Sequence, residues 1–209
     1  MLTVGKNEHD VERRLQAGRL RCPDCDGCLA GWGRAGQRTI WGNGWFRRIR
    51  PRRSRCRGCG RTHVLLPVDA LWHRRDDVSV IGEALTRSAL GEGVRSIARV
   101  LGRPEATVRA WIRRMRVIAE SVRAAFTLVR AVLVSEAPAL AAAPSPLADA
   151  VNAVLAAAAA AGQGFAELAD IAARAPWEVA CAVTGGMLLA PPIIGFRINM
   201  NHTLVAFGR

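Results

Sequence analysis

Acidic residues are scarce in this sequence, and over one long stretch they are missing. The 209 residues include 17 Asp and Glu against 30 Lys and Arg, which gives a formal net charge of +13. From Arg34 to Arg61 there are ten arginines and neither Asp nor Glu. Such a positive field attracts polyanions, and nucleic acid is the commonest soluble polyanion. The composition therefore favours a nucleic-acid partner.

The positive charge is confined to the first two-thirds of the chain. Residues 1–130 hold 27 of the 30 basic residues and 12 of the 17 acidic ones, whereas residues 131–209 hold three and five. Lysine is almost absent, because Lys6 is the only one. The planar fork of arginine suits phosphate oxygens and guanine edges. A lysine-poor, alanine-rich chain is also typical of a GC-rich genome, so the ratio alone carries little weight.

The sequence shows no apolar segment near its N-terminus, because residues 1–18 are polar and charged. Without a secretory signal we expect a reducing, cytoplasmic compartment, where paired cysteines bind metal more often than they form disulfides. The one long apolar run, residues 177–196, contains Glu178, a Gly-Gly pair and a Pro-Pro pair. These residues interrupt a helix before it could cross a bilayer, so we expect no membrane span.

Five of the six cysteines lie between positions 22 and 59. Cys22-Pro-Asp-Cys25 and Cys56-Arg-Gly-Cys59 are two C-x2-C turns with thirty residues between them. Two such turns present four thiolates to one point, which makes a tetrahedral site that suits Zn²⁺. The spacing predicts a zinc ribbon over residues 21–68, with an arginine-rich β-hairpin in the long gap.

Some alternatives remain open around this site. Cys25-Asp-Gly-Cys28 is also C-x2-C, but the proline in CPDC stiffens that turn, so we expect Cys28 to be a bystander thiol. His63 and His73 are alternative fourth ligands, which we expect to be surface or core residues because four cysteines suffice. Gly60 can take the positive φ that the second turn needs. Four thiolates would close the coordination shell, so the predicted zinc is structural.

Helical periodicity begins at Val78. Apolar residues recur with helical spacing in three segments, which end before the glycines at 91–93, at Gly102 and beyond residue 115. Ala98, Gly102 and Val108 have the spacing of a helix-turn-helix core. It needs a small residue where the helices cross, glycine at the turn and an aliphatic side chain on the second helix. We therefore predict a three-helix helix-turn-helix domain over residues 76–130.

The second helix of this motif is expected to enter the major groove of DNA. With Val108, Trp111, Ile112 and Met115 facing inward, its other side carries arginines and small residues. The predicted DNA-contacting residues are Arg103, Ala106, Thr107, Arg109, Ala110, Arg113, Arg114 and Arg116. Arg109 and Arg113 would read base edges, and Arg114 and Arg116 would hold phosphates. The alternative is an ordinary three-helix bundle with a solvated basic face, which the motif spacing and the charge disfavour.

The other regions complete an α+β, mostly α fold. Residues 1–20 are a lead-in that we expect to be amphipathic or disordered. Residues 131–150 read as an Ala/Pro linker, and residues 151–209 as an alanine-rich helical C-terminal region. The aromatics of the ribbon would either stack on bases or form its small core, and burial favours the core. They are Trp32, Trp41, Trp45 and Phe46.

Three motifs resemble the N-terminal DNA-binding halves of insertion-sequence transposases, and proteins of high-GC bacteria with the same order of zinc ribbon and helix-turn-helix. They are CPDC (22–25), CRGCGRTHVLLP (56–67) and SIARVLGRPEATVRAWIRR (96–114), and the region they mark covers a little under half of the chain. The resemblance implies that this region binds DNA ends or operators. Downstream the sequence departs from the family, because no evident strand carries the carboxylates of a ribonuclease-H-like catalytic domain.

The sequence therefore predicts a non-enzymatic, sequence-specific protein for double-stranded DNA, either a transcriptional regulator or a transposase-derived helper, located at the nucleoid. The C-terminal helices would form a homodimer or bind a partner protein. One alternative is a transposase or recombinase component that acts at element ends. The other is an RNA-binding zinc-ribbon protein that uses the arginine field and the aromatics.

Overall fold

The computed structural model describes residues 1–134, 136, 138–164 and 175–190. The structure is mixed α/β, with strands in the first third of the chain and mainly helices afterwards. This agrees with the predicted α+β, mostly α fold class. The strands are β1 (Leu2–Val4), β2 (Leu29–Arg34), β3 (Arg38–Trp41), β4 (Phe46–Ile49), β5 (Arg52–Cys56) and β6 (Thr62–Pro67). The helices are α1 (Glu8–Gln16), α2 (Val78–Ala89), α3 (Val94–Leu101), α4 (Glu105–Leu133), α5 (Pro146–Gly164) and α6 (Pro176–Val183).

Four strands form a sheet in the order β1-β6-β5-β2. β1 runs parallel to β6, whereas β6, β5 and β2 are antiparallel neighbours. Leu29 at the start of β2 lies opposite Cys56 at the end of β5. The first cysteine turn directly precedes β2 and the second directly follows β5, so antiparallel pairing brings both turns to one end of the sheet.

The lead-in is part of this sheet's core. Strand β1 is buried along its whole length, and α1 buries Val11 and Leu15 against the sheet. Asn7 caps α1, because its side-chain oxygen accepts two backbone N–H groups of the first turn. Of the two states expected for residues 1–20, the amphipathic one is observed, as an ordered strand and helix.

The four aromatics of residues 21–68 do not form the core, so the prediction that burial favours the core is wrong. Trp41 and Trp45 are each 45% exposed, Trp32 is 51% exposed and Phe46 is 56% exposed. Aliphatic side chains from the lead-in, from β2 and from β6 fill the interior instead, together with two cysteines. Because aliphatic side chains of β1 and α1 occupy this interior, the aromatics lie at the surface.

Helices α2 to α6 share one hydrophobic core. Helix α4 has 29 residues and continues past the predicted third helix to Leu133. The non-helical connection therefore lies between Leu133 and Pro146, which is shorter than the expected linker over 131–150. Helix α5 buries the alanine stripe Ala150, Ala153, Ala157 and Ala161 in the core that it shares with α4. Small side chains allow close approach of two helices.

The described part of the C-terminal region belongs to the same core rather than to a separate unit. A Cβ at Gly82 of α2 would overlap the Trp177 ring of α6, so glycine is required where these helices cross. Helix α6 ends before Gly185 and Gly186, which have φ of 59° and 80°, as expected of the glycine pair. The proline pair at 191–192 lies outside the described residues. A contact of this region with a partner protein stays a prediction.

Candidate metal centre and nucleic-acid interface

Four cysteine sulfurs converge at the end of the sheet. Those of Cys22, Cys25, Cys56 and Cys59 all lie within 4.8 Å of one another. The Cys25 and Cys56 sulfurs are 3.4 Å apart, and the Cys22 and Cys59 sulfurs are 3.7 Å apart. Zinc–sulfur bonds of about 2.3 Å in a tetrahedron separate the sulfurs by roughly 3.8 Å. The four cysteines therefore form a possible metal site.

The two cysteine turns repeat one hydrogen-bond pattern. The Cys22 sulfur accepts from the backbone N–H groups of Asp24 and Cys25, two and three residues later. The Cys56 sulfur accepts from the N–H groups two and three residues later at 3.3 and 3.5 Å. Gly60 follows the second turn with φ of 73°, as predicted. Backbone N–H donors favour the thiolate form, and both turns offer the same pair of donors to their first sulfur.

The surroundings of the sulfurs shift their acidity in opposite directions. Donation from the backbone N–H of Cys59 lowers the pKa of Cys56 to about 6. Burial raises the pKa of the Cys22 thiol to about 12. A metal ion binds thiolates, so metal binding here would displace protons, from Cys22 above all.

Cys28 and the two histidines lie outside the four-sulfur group. The Cys28 sulfur accepts from Arg21 Nη1 at 3.1 Å, which fits a bystander thiol. His63 is buried, with Nε2 3.4 Å from the Cys22 sulfur, and it forms a second possible ligand group with Cys22 and Asp24. Burial lowers the pKa of His63, so its neutral ring can donate to the Cys22 sulfur from outside the ligand set. His73 is exposed.

The turn between α3 and α4 has the local geometry that the Ala-Gly-Val spacing predicts. Ala98 and Val108 are buried in the helical core. Gly102 ends α3 in the left-handed conformation, with φ of 60° and ψ of 38°. The N–H of Arg103 donates to the carbonyl of Ala98 at 2.9 Å, which satisfies the end of α3. Pro104 then precedes α4, where its missing N–H leaves no hydrogen bond unmade.

The N-terminal part of α4 has one buried face and one accessible face, as predicted. Val108, Trp111, Ile112 and Met115 are buried. Seven of the eight predicted DNA-contacting residues lie on the other side, either exposed (Ala106, Arg109, Arg113, Arg114 and Arg116) or half-buried (Thr107 and Ala110). Arg109 Nη2 is 3.7 Å from Glu105 Oε2, an exposed and therefore weak pair. The arginine side chains of this face are accessible to a ligand.

Arg103 does not belong to this face, which corrects its predicted role. Its side chain is 15% exposed, and Nε lies 2.5 Å from Asp76 Oδ1. Its Nη2 donates to the carbonyl of Gly42 at 2.8 Å. The guanidinium is thus already used in charge-assisted bonds within the chain. Arg103 connects the α3–α4 turn to the β3–β4 hairpin.

Arginines outside α4 extend its basic face, and sequence reasoning missed them. A shallow groove between residues 73–76 and α4 is lined by Arg74, Arg75 and Arg114 among others. Burial lowers the pKa of Arg74, and the nearby charge of Arg114 lowers it further. Arg38 of β3 is affected in the same way by burial and by Arg75. The adjacent pair Arg74-Arg75 was the only sequence signal, and nothing local placed it beside α4.

The chain has no significant similarity to a known family, protein or structure. No protein family matches this chain, and neither a curated protein nor a solved structure is significantly similar to it. Within the described ranges, no helix is both long and apolar enough to cross a membrane.

Proposed function

We propose that the protein binds double-stranded DNA with sequence specificity and without catalysis, as a transcriptional regulator or a transposase-derived helper protein at the nucleoid. The observation that carries this proposal is the exposed face of α4 over residues 105–116, where arginines flank Ala106 and Ala110. Small side chains let a helix approach the groove floor, and arginines contact base edges and phosphates. Helix α3 and the Gly102 turn would hold α4 as the recognition helix of a helix-turn-helix.

The roles on this face follow from position. Arg109 and Arg113 lie along the helix beside the alanines, so they would reach base edges in the groove. Arg114 and Arg116 flank them and would contact phosphates. Arg75 is exposed on the loop beside α4 and would add a phosphate contact, which sets register and affinity rather than sequence preference. Arg74 is half-buried and donates to the carbonyls of His73 and Leu189, so it is used within the chain.

We propose further that the four cysteines hold one structural Zn²⁺ in a zinc ribbon over residues 21–68. The sulfur separations fit tetrahedral thiolate ligands, and the two turns donate matching N–H groups to their first sulfurs. Cys22 and Cys56 are themselves part of the small core of this region. A closed shell of four thiolates has no open position for substrate, so the metal would stabilise the fold.

Gly27 provides a test of the metal assignment. A Cβ at Gly27 would lie 2.9 Å from the Cys56 sulfur and 3.3 Å from the Cys25 sulfur, so Gly27→Ala crowds two ligands. A Cβ at Gly58 would lie 3.6 Å from Cys25 and 3.8 Å from Cys56, which is ordinary contact. We expect Gly27→Ala to weaken zinc affinity about tenfold or more, and Gly58→Ala to leave it close to wild type. Competition with a chromophoric chelator measures both, and equal affinities would contradict the assignment.

The DNA-binding function is tested by selecting bound duplexes from a random pool with the zinc-loaded full chain. We expect an enriched motif and affinity that falls steeply with salt. The three arginine–phosphate contacts on and beside α4, from residues 75, 114 and 116, give a slope of about −2.7 for log K against log salt concentration, and phosphate contacts from the β region, such as Arg55, make it steeper. A pool without an enriched motif, or affinity independent of salt, would refute the proposal.

Two other outcomes would assign a different function. Metal-dependent strand cleavage by the purified chain would identify a recombinase. Structured RNA that outcompetes the selected duplex would identify an RNA-binding protein, for which the exposed aromatics are the favouring observation.

A further inference from the structure

The β3–β4 hairpin carries an aromatic pair on its outward face. Trp41 lies opposite Phe46, and Thr39 lies opposite Arg48. Side chains alternate along a strand, and Ile40 between them is buried, so these two pairs point outward together. The ring centroids of Trp41 and Phe46 are 5.2 Å apart with an interplanar angle of 44°.

A third aromatic ring is fixed at the same end of the hairpin. The N–H of Gly42 donates to the carbonyl of Trp45 at 2.9 Å, which closes the turn. A Cβ at Gly42 would overlap the Trp45 indole, so this ring packs directly against the glycine backbone. We call Trp41, Trp45 and Phe46 the aromatic tip. Its rings are held in place by the hairpin, so little side-chain entropy is lost when a ligand binds.

The hairpin is anchored beside the N-terminus of α4. The N–H of Trp41 donates to the carbonyl of Arg75 at 2.7 Å, and the N–H of Asp77 donates to the carbonyl of Trp41 at 2.8 Å. Arg103, two residues before α4, donates to the carbonyl of Gly42. A ligand held on α4 therefore lies within reach of the aromatic tip.

The charge around the tip favours a nucleic-acid ligand over a protein. The hairpin and its flanks, from Arg34 to Arg61, have ten arginines and no carboxylate. Four of these arginines pair with carboxylates from other parts of the chain, so the surface remains positive but less so than the sequence count suggests. The same hairpin of a second copy, which is equally rich in arginine, would be repelled. A single strand of nucleic acid offers both phosphates and free base faces, which exposed aromatics bind by stacking.

We propose that the aromatic tip stacks on unpaired bases of a single-stranded DNA extension that adjoins the duplex held by α4. The bases of an unbroken duplex stack on one another and hide their faces, so the tip would find no partner there. This inference rests on the proposed duplex binding and names its preferred substrate, a duplex with a single-stranded tail.

The test compares a blunt duplex carrying the selected site with the same duplex bearing an oligo(dT) tail, by fluorescence anisotropy of the zinc-loaded full chain. We expect the wild-type protein to prefer the tailed duplex by about tenfold or more. Trp41→Ala combined with Phe46→Ala should abolish this preference and leave blunt-duplex affinity unchanged. Trp32→Ala is the matched control, because Trp32 is equally exposed but lies on β2, with Arg55 over its ring at 4.9 Å.

Conservative variants separate stacking from apolar contact. Trp41→Phe should keep the preference for the tail, whereas Trp41→Leu combined with Phe46→Leu should lose it, because leucine keeps apolar area without a ring face. Retention in the leucine variant, or loss in Trp32→Ala, would overturn the proposal. Unchanged zinc content and blunt-duplex binding show that each variant is folded.

The remaining outcomes assign the tip to something else. Stronger binding of an oligo(rU) tail than of oligo(dT) would replace DNA by RNA, and a change of oligomeric state in the alanine variant would make the tip a protein contact. Equal affinity for tailed and blunt duplexes would overturn this inference alone. Absence of selective duplex binding by the wild-type protein would instead remove the proposed function.

Discussion

Cys25→Ser is expected to abolish stoichiometric zinc binding and to unfold the β region, whereas Cys28→Ser is expected to do neither. The two cysteines are three residues apart, but only Cys25 belongs to the four-sulfur group. Its sulfur is 3.4 Å from that of Cys56, whereas the Cys28 sulfur contacts Arg21. Both variants therefore replace a sulfur by an oxygen in the same segment, but only Cys25→Ser changes an atom of the metal site.

The expected effect is large because the core around the site is small. Among the residues that the structure describes, it comprises nine buried ones, two of which are cysteines of the four-sulfur group. Structural zinc contributes about 10–16 kcal/mol of apparent binding free energy in small domains. The free energy of unfolding of a whole domain is only about 5–15 kcal/mol. Loss of the metal is therefore expected to unfold this region.

Native mass spectrometry and thermal unfolding measure the two effects together. Wild-type protein treated with a strong chelator should behave like Cys25→Ser. The helical circular dichroism should largely persist, since the core of α2 to α6 contains none of the four cysteines. Retained zinc in Cys25→Ser would disprove the proposed ligand set. Loss of zinc in Cys28→Ser would show that CDGC, not CPDC, is the first metal-binding turn.

Arg109→Ala and Arg113→Ala are each expected to remove sequence preference, at a cost of about 1–3 kcal/mol for the selected site. Both side chains are exposed on α4 beside the alanines. Arg55→Ala should instead weaken all duplexes to a similar extent. Arg55 is also exposed, but it lies on β5, over the Trp32 ring and bonded to the carbonyl of Gly60. A phosphate contact from this position carries no sequence information.

The measurement is affinity for the selected duplex and for a scrambled duplex at one salt concentration. The ratio of the two affinities should fall in Arg109→Ala and Arg113→Ala and stay constant in Arg55→Ala. Thermal stability should not change, because the exposed pair of Arg109 with Glu105 contributes little. If all three variants lose the same fraction of both affinities, base reading does not occur on α4.

Features encoded within a few residues were predictable from the sequence. The two C-x2-C turns, the positive φ of Gly60 and the left-handed Gly102 depend on neighbours along the chain, and each has the expected conformation. The inward face of α4 followed from helical periodicity, because residues at i, i+3, i+4 and i+7 share one side. Convergence of the four sulfurs was also predictable, since two matched cysteine turns commonly meet at one ion.

Features that depend on distant pairing were not predictable. β1 pairs in parallel with β6 across about sixty residues, and no local signal marks three N-terminal residues as the strand that completes the core. That pairing decides which side chains fill the interior, so it also decided that the four aromatics remain at the surface.

The sequence by itself determined the chemistry of this protein: the cysteine turns, the arginine-rich surface and the amphipathic α4. Only the tertiary structure decided how these parts are combined. Arg103 has the same charge as Arg109, yet its position beside Asp76 and Gly42 makes it a connection within the fold. The hairpin lies beside α4 because of that connection and of backbone hydrogen bonds to residues 75 and 77. Charge and periodicity are local properties of the sequence. Whether a side chain is bonded within the chain or remains free to bind a ligand depends on its neighbours in the whole fold.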